Sequence, residues 1–176
     1  MNELDFIFNR RSIRRYTDKK IESVKINLLL KAAMYAPSAV NKQPWHFVVI
    51  DDRSLMLKVT EIHRNAGMLK NASHAIVICG DLKLQHDEGY WVVDCGAATE
   101  NLLLAAHVLG LGACWVGLHP REARENAVAA LLDLPSHVRP FALVSLGYPA
   151  EKIPRPERFK ADRIHLNTWG EPYQAE

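Results

Sequence analysis

The stretch YWVVDCGAATENLLLAAHVL, residues 90–109, decides how we interpret the fold of this chain. Apolar residues lie on almost every side of it when it is drawn as a helix, and Gly110 and Gly112 follow as left-handed stop signals. A helix that is apolar all round belongs in a core or in a subunit interface. The stretch therefore predicts one long helix at the centre of the structure.

Four polar residues interrupt this apolar helix, namely Asp94, Glu100, Asn101 and His107, and two of them, Asp94 and Asn101, lie on one face of it. A buried polar group without a partner costs about 1–3 kcal/mol, so both side chains need hydrogen-bond partners. They can pair with a second copy of the chain across a two-fold axis, or they can bond to neighbouring loops of the same chain. The sequence leaves both arrangements open.

The rest of the chain alternates between helical and strand patterns around this helix. Apolar residues at helical spacing predict a short helix near Phe6 and longer helices at 21–36, 53–65 and 120–132. Nearly continuous apolar runs predict strands at 45–51, 75–79, 113–118 and 141–146. We predict a single α+β domain over residues 1–176, with a sheet of four or five strands covered by helices.

The composition is that of an ordinary globular protein of 176 residues, 48% apolar and 24% charged, with a formal net charge of +2. This charge is too small to indicate nucleic acid or a membrane surface as a partner, and no apolar stretch is long enough for a bilayer. The N-terminal stretch MNELDFIFNRR lacks the long apolar core of a signal peptide. The expected location is therefore the cytoplasm.

The cysteines and histidines show no metal-binding spacing. Cys79, Cys95 and Cys114 form no CxxC pair, and each lies in an apolar run, where a free thiol packs as a small hydrophobe. The eight histidines form neither an HxxxH nor an HExxH pair. We therefore expect no metal site, no disulfide framework and no catalytic cysteine.

A basic motif, RRSIRRY at residues 10–16, places four arginines within six residues around a serine hydroxyl. Guanidinium groups bind phosphate with paired N–H donors, and Ser12 can add a hydrogen bond. Phosphate is thus the natural ligand for such a motif. The alternative is a solvated basic face or a patch that binds a partner.

A polar elbow, APSAVNKQPW at residues 36–45, joins the second helix to the first strand. Pro37 ends the helix because proline cannot continue one. Ser38, Asn41 and Gln43 offer a hydroxyl and two amides, which suit the edge of a flat heterocycle with alternating N–H and C=O groups. The alternative is an ordinary turn, since Ser, Asn and Pro are also turn residues.

The tail, residues 150–176, combines prolines and alternating charges with the large apolar residues Phe159, Ile164, Leu166 and Trp169. It is too apolar for plain disorder, yet it cannot build a core of its own. We expect it to wrap around another part of the assembly, for example a second subunit.

Four stretches of the chain, taken together, resemble the FMN-dependent nitroreductases in order and spacing. They are RRSIRRY (10–16), APSAVNKQPWHFVVI (36–50), GAATENLLLAAHVLGLGACWVGL (96–118) and SLGYPAEKIPRPERF (145–159). The resemblance covers nearly the whole chain and is to the short members of that family. It implies a central, mostly antiparallel sheet flanked by helices, with the long buried helix at a dimer interface and an extended C-terminal tail.

The resemblance also implies a homodimer that binds FMN at the subunit interface, with each site drawing on both chains. The implied phosphate and ribityl contacts are Arg10, Arg11 and Ser12, with Arg14 adjacent and either Arg158 or Arg155 completing the site. The implied contacts to the isoalloxazine ring are Pro37, Ser38, Asn41, Gln43, Trp115, Val116 and Gly117. Gly117 stands where some relatives carry a glutamate, so ring recognition there would rest on backbone groups.

The implied reaction is a ping-pong transfer of hydride from NADH or NADPH to flavin N5 and on to a small-molecule acceptor, such as a nitroaromatic or a quinone. No side chain of the protein is a catalyst in that scheme, because the flavin carries the chemistry. The alternatives are a dehydrogenase or dehalogenase of the same fold, and a non-catalytic flavin-binding regulatory protein. A nucleic-acid role is disfavoured because 20 acidic residues balance the 22 lysines and arginines.

Overall fold

The computed structural model describes residues 3–173, which form a four-stranded antiparallel sheet with helices on both faces. The strands are β1 (Trp45–Ile50), β2 (His74–Asp81), β3 (Gly112–Gly117) and β4 (Val138–Gly147), in the spatial order β1-β2-β4-β3. The helices are α1 (Asp5–Asn9), α2 (Ser23–Met34), α3 (Arg53–Ile62), α4 (Tyr90–Val108) and α5 (Glu122–Leu131). Single 3₁₀ turns lie at Ala39–Asn41, Gly67–Lys70 and Ala161–Arg163.

The central strands β2 and β4 are buried on both faces, which explains their nearly continuous apolar sequences. Successive residues of β2 contribute to different cores because side chains alternate across a strand. Ile76 and Ile78 pack in a core with helices α2 and α4. Val77 and Cys79 pack in a second core on the other face, with α3 and α5. The long helix α4 thus lies in the core of one face, as its sequence predicts.

The predicted order of helices and strands is confirmed, and their ends differ by a few residues. Helix α2 begins at Ser23 rather than at 21, α3 ends at Ile62 rather than at 65, and α5 begins two residues after Pro120. The described residues form four named strands, with no fifth. Gly110, with φ of +73°, ends α4 in the left-handed conformation, but Gly112 opens β3 instead.

Asp94 and Asn101 of α4 form hydrogen bonds within their own chain. The side-chain amide of Asn101 donates to the carbonyl of Ala32 in α2 at 3.1 Å, and Asp94 Oδ1 accepts from the backbone N–H of Ala39 at 2.9 Å. The structure therefore favours the second of the two arrangements left open by the sequence. Both bonds fasten α2 and the elbow that follows it to the long helix.

Glycines let the basic motif pack directly on the sheet. The Tyr16 hydroxyl lies 2.7 Å from Ser145 Oγ and donates to the Ile13 carbonyl at 2.6 Å, and its burial raises the pKa of the phenol. A Cβ on Gly147 would lie 2.6 Å from Tyr16 Cγ, and one on Gly112 would lie 2.7 Å from Ile13 Cγ2. Only glycine fits at both positions.

Replacing Gly147 with alanine is expected to destabilise the protein by about 1–3 kcal/mol, because the added methyl group overlaps the Tyr16 ring in a packed core. Gly96→Ala is the matched control, since the nearest atom to a Cβ there, Phe141 Cζ, is 3.8 Å away. A helical Gly→Ala change with free space should stabilise by about 0.5–1 kcal/mol. Urea unfolding measures both, and equal stabilities for the two variants would contradict this packing.

None of the helices in the described part of the chain combines the length and the hydropathy that crossing a bilayer requires.

Candidate functional site

The extended segment from Arg10 to Arg14, which we call the strip, runs beside the edge strand β3. Ser12 pairs with Ala113 in a parallel bridge, and the Ile13 N–H donates to the Ala113 carbonyl at 2.9 Å. Glu151 Oε1 accepts from the Arg14 backbone N–H at 2.6 Å and fixes the far end. Five extended residues span about 13 Å. The strip can therefore follow an elongated ligand along its length.

At its Arg10 end, the strip meets the C-terminal tail in the arginine cluster, which consists of Arg10, Arg11, Arg155 and Arg158. Two cavities, of about 420 and 380 Å³, open beside the cluster, and Arg10, Arg11 and Arg155 line both. Arg158 lines the smaller one. The structure thus brings the arginines of the N-terminal motif together with both candidate arginines of the tail.

The arginine cluster concentrates positive charge. Partial burial, followed by the guanidinium groups of Arg158, Arg10 and Arg155, lowers the pKa of Arg11. Glu100 offsets part of this charge, because its carboxylate forms an ion pair with Arg10 at 3.3 Å. A doubly charged anion would relieve the remaining repulsion, and paired N–H donors suit phosphate oxygens.

Arg11 also has a structural task. Its guanidinium donates to the carbonyls of Phe8 at 2.7 Å and Pro154 at 3.1 Å, and to that of Arg10. These bonds tie α1, the strip and the tail to one another. Changing Arg11 would therefore disturb the shape of the cluster as well as its charge.

At its Arg14 end, the strip borders a larger cavity of about 640 Å³, which we call the β3 cavity. Its inner wall is the strand segment 114–117, and the loop after α3 and the start of α5 form its sides. The lining residues outside that strand segment are Arg14, His63, Asn65, Met68, His119, Pro120, Arg121 and Arg124. Trp115, Val116 and Gly117 therefore share one cavity with Arg14.

His63 holds the loop after α3 against the end of β3. The backbone N–H of Asn65 donates to His63 Nδ1 at 3.1 Å, so the ring proton is on Nε2. Nε2 in turn donates to the Gly117 carbonyl at 3.1 Å, and the ring is buried. Sequence reasoning missed His63, Asn65 and Met68, because no motif marks a lone histidine and its neighbours after a helix.

The elbow lies away from these cavities. None of its implied ring contacts, Pro37, Ser38, Asn41 and Gln43, lines the β3 cavity or the two cavities at the arginine cluster. The Gln43 side-chain amide donates to Asn41 Oδ1 at 2.7 Å, and the Gln43 backbone N–H donates to Ser38 Oγ at 2.9 Å. One chain alone does not bring the elbow to the other candidate residues.

The elbow has an unusual backbone. Val40, Asn41 and Gln43 have positive φ angles of 48°, 56° and 49°. Such a conformation is rare for a β-branched residue and costs about 1–3 kcal/mol. Asp94 anchors the elbow through Ala39, and its second oxygen, Oδ2, is buried without a partner among the described residues. Strain that is held in place on an exposed loop is typical of functional segments.

The thiols are ordinary packing groups. All three cysteines are free and buried, as the sequence predicts. Burial raises the pKa of Cys79 to about 12 and also raises the pKa of Cys114, which lines the β3 cavity. Between residues 3 and 173, no group of three His, Cys, Asp or Glu side chains is arranged to hold a metal ion.

Fold and site together define a class of protein. It is an α+β protein in which a basic strip runs beside an edge strand, with the arginines of the tail and two cavities at one end of the strip and a third cavity at the other end. The chain belongs to the nitroreductase family, whose model matches residues 7–67 and 60–148. The resemblance inferred from the four sequence motifs is thereby confirmed, as is the antiparallel sheet flanked by helices that it implies.

Three similar proteins match this chain over nearly their whole length. A protein of Archaeoglobus fulgidus, provisionally named NADH dehydrogenase/NAD(P)H nitroreductase, is 49% identical over 170 residues, covering 94% of this chain and 98% of that protein. A crystal structure from Parabacteroides distasonis with the same provisional name has a TM-score of 0.91 at 39% identity, covering 94% and 98% of the two chains. A provisionally named nitroreductase of Desulfovibrio desulfuricans, solved in complex with FMN, has a TM-score of 0.84 at 32% identity, covering 99% of each chain.

Proposed function

We propose that residues 1–176 form a single FMN-binding domain that works as an NAD(P)H-dependent oxidoreductase and reduces nitroaromatics, quinones or related electrophiles. The observation that carries this proposal is the strip, with the arginine cluster at one end and the β3 cavity at the other. FMN has the same sequence of parts, namely a phosphate, a hydroxylated chain and a flat ring. Family membership and the names of the relatives support the oxidoreductase class, the cofactor and the donor.

The residues present fit FMN group by group. Arg10, Arg155 and Arg158 would bind the phosphate, and the strip backbone with Ser12 would follow the ribityl chain. Arg14 and the segment 115–117 would face the ring. Gly117 has no side chain and is exposed, so its backbone can lie close to a flat ligand.

Bound FMN would supply the redox chemistry, accepting hydride from the nicotinamide and passing electrons to the acceptor. The chain itself contributes orientation and charge. Arg14 places a cation beside the ring position, where it favours added negative charge. His63 fixes the end of β3 through the Gly117 carbonyl. Donor and acceptor would enter the β3 cavity in turn, which is the order that a ping-pong reaction requires.

We also propose a homodimer with α4 at its interface. The exposed residues of α4 lie on one side of the helix, at its two ends: Tyr90 is 47% exposed and Val93 is 70% exposed in the first turn, and Val108 is 65% exposed at the last residue. Further exposed apolar side chains lie on α1 and on the tail, including Phe6, Ile7, Phe159 and Trp169. An exposed apolar surface of this extent is typical of a protein interface.

In this dimer, the elbow of one chain would supply Pro37, Ser38, Asn41 and Gln43 to the β3 cavity of its partner. The elbow is exposed, strained and outside the cavities of its own chain, which supports a role in trans. A reducing compartment such as the cytoplasm would suit the three free thiols.

The visible spectrum of the purified protein tests the proposed function. We expect the absorbance bands of bound flavin, their bleaching on anaerobic addition of NADH or NADPH, and their return when a nitroaromatic or a quinone follows. Free FMN at the same concentration is the control, because unbound flavin reacts slowly with both donors. A protein that takes up no FMN would contradict the proposal, and bound flavin that neither donor reduces would indicate a binding protein without turnover.

A further inference from the structure

The β3 cavity holds more positive charge than one flavin ring needs. Three arginines, Arg14, Arg121 and Arg124, line it, and no carboxylate in the described part of the chain does. Arg121 and Arg124 form no ion pair with any carboxylate between residues 3 and 173. A cationic wall without acidic partners attracts anions to the cavity mouth.

The first turn of α5 contains two acids, Glu122 and Glu125, and neither of them lines the cavity. Glu125 is buried, and its carboxylate accepts from His119 Nδ1 at 3.1 Å. His119 packs edge-on against Trp91, with ring centroids 4.9 Å apart, and stacks on Phe141 at 6.4 Å. These contacts fix the backbone that carries Arg121 and Arg124, and Glu125 does not neutralise them.

The phosphate of the cofactor does not account for the positive charge of Arg121 and Arg124. In the proposed function, that phosphate lies at the arginine cluster, at the opposite end of the strip. The nicotinamide ring of the donor must enter the β3 cavity to approach the flavin ring. The start of α5 forms one side of this cavity, so a dinucleotide that leaves the cavity on that side would carry its pyrophosphate and, in NADPH, its 2′-phosphate past Arg121 and Arg124.

We propose that Arg121 and Arg124 bind a phosphate group of the nicotinamide donor and thereby set donor affinity. The inference rests on the proposed function, because it requires a flavin ring at β3. Arg124 is half-buried and Arg121 is exposed, so Arg124 carries the larger share, since a less solvated charge attracts an anion more strongly. The group is the pyrophosphate if both donors depend on the arginines, and the 2′-phosphate if NADPH alone does.

Steady-state kinetics of the FMN-loaded double variant Arg121→Ala, Arg124→Ala test this inference. We expect kcat/KM to fall about tenfold or more for at least one donor, mainly through KM, because charge-assisted hydrogen bonds are lost. When lysine replaces Arg124 in place of alanine, with Arg121→Ala retained, part of the lost kcat/KM should be recovered. Arg64→Ala serves as the matched control, because Arg64 is exposed and is adjacent in sequence to two lining residues but does not line the cavity itself.

Binding without turnover gives a second measurement. The dissociation constants of adenosine 2′,5′-bisphosphate and of ADP-ribose for the FMN-loaded protein are measured by calorimetry, together with that of FMN for the apoprotein. At least one of the two probes should bind the double variant about tenfold more weakly, with FMN affinity within about twofold of the original value.

Three results would overturn the inference. The first is donor kinetics and probe binding in the double variant that match those of Arg64→Ala. The second is FMN binding that weakens as much as donor binding, which would assign the arginines to the cofactor. The third is an original protein whose flavin neither donor reduces, and then the proposed function falls as well. If the donors reduce the flavin of the original protein and the double variant shows the same donor kinetics, this inference is refuted and the proposed function stands.

Discussion

Replacing Arg10 and Arg158 together with alanine is expected to weaken FMN binding by about 100-fold or more and riboflavin binding by less than about threefold. The two guanidiniums come from opposite ends of the chain and line the same cavity of about 380 Å³. Riboflavin lacks the phosphate, so it loses nothing at this end of the strip. Both residues are preferred to Arg11, whose bonds to the Phe8 and Pro154 carbonyls make it part of the local structure.

Fluorescence titration of the apoprotein with each flavin measures these affinities. Arg15→Ala is the matched control, because Arg15 belongs to the same motif but its side chain is 81% exposed and it lines none of the cavities beside the strip. It should leave both affinities within about twofold, as expected for an exposed charge. If the double variant lost as much affinity for riboflavin as for FMN, the arginine cluster would not be the binding site of the phosphate.

Replacing Val93 with glutamate is expected to convert the protein from a dimer to a monomer and to empty it of flavin. Val93 is 70% exposed on the exposed side of α4, in the first turn of the helix. In a symmetric interface, each copy would bury an unpaired carboxylate, which costs several kcal/mol per charge. Flavin would be lost with the dimer, because the elbow of the partner chain completes the proposed site.

Light scattering with simultaneous absorbance detection reads mass and flavin content in one experiment. Leu57→Glu is the matched control, since Leu57 is 40% exposed on α3, on the opposite face of the sheet. That variant should keep both the dimer and the flavin. An original protein that elutes as a monomer with full flavin content would refute the proposed interface and the role of the elbow in trans.

The sequence predicts the helices and strands well because their periodicities are strong. The apolar residues around α4 and the continuous runs of β2 and β4 place each of them correctly in the core. The spatial order of the strands, with β4 between β2 and β3, was not predicted, because periodicity carries no information on pairing. Gly112 was misassigned as a helix stop, because glycine is required there by the closeness of Ile13 rather than by a positive φ.

The candidate site likewise contains residues that the sequence predicted and residues that it did not. The arginines, Ser12 and the segment 115–117 came from motifs and from the resemblance. The structure places the tail arginines at the Arg10 end of the strip and the segment 115–117 in the cavity at its Arg14 end. The contacts of Glu100, Glu151 and His63 with the site were not predicted, since their partners there lie far away along the chain. The elbow residues stay a prediction, because their proposed partner lies on a second chain.

The open edge of β1 has a consequence for handling the protein. Strand β1 pairs with β2 alone among the strands of the described residues, whereas β3, at the other edge, is covered by residues 12 and 13. Its sequence WHFVVI is a six-residue stretch of high β-propensity without acidic residues, lysine or arginine. Pro44, which cannot donate a backbone hydrogen bond, precedes this strand. Asp51 and Asp52 follow it and place two negative charges at its other end. These three residues act as gatekeepers against fibril-like stacking of β1 between partly unfolded copies.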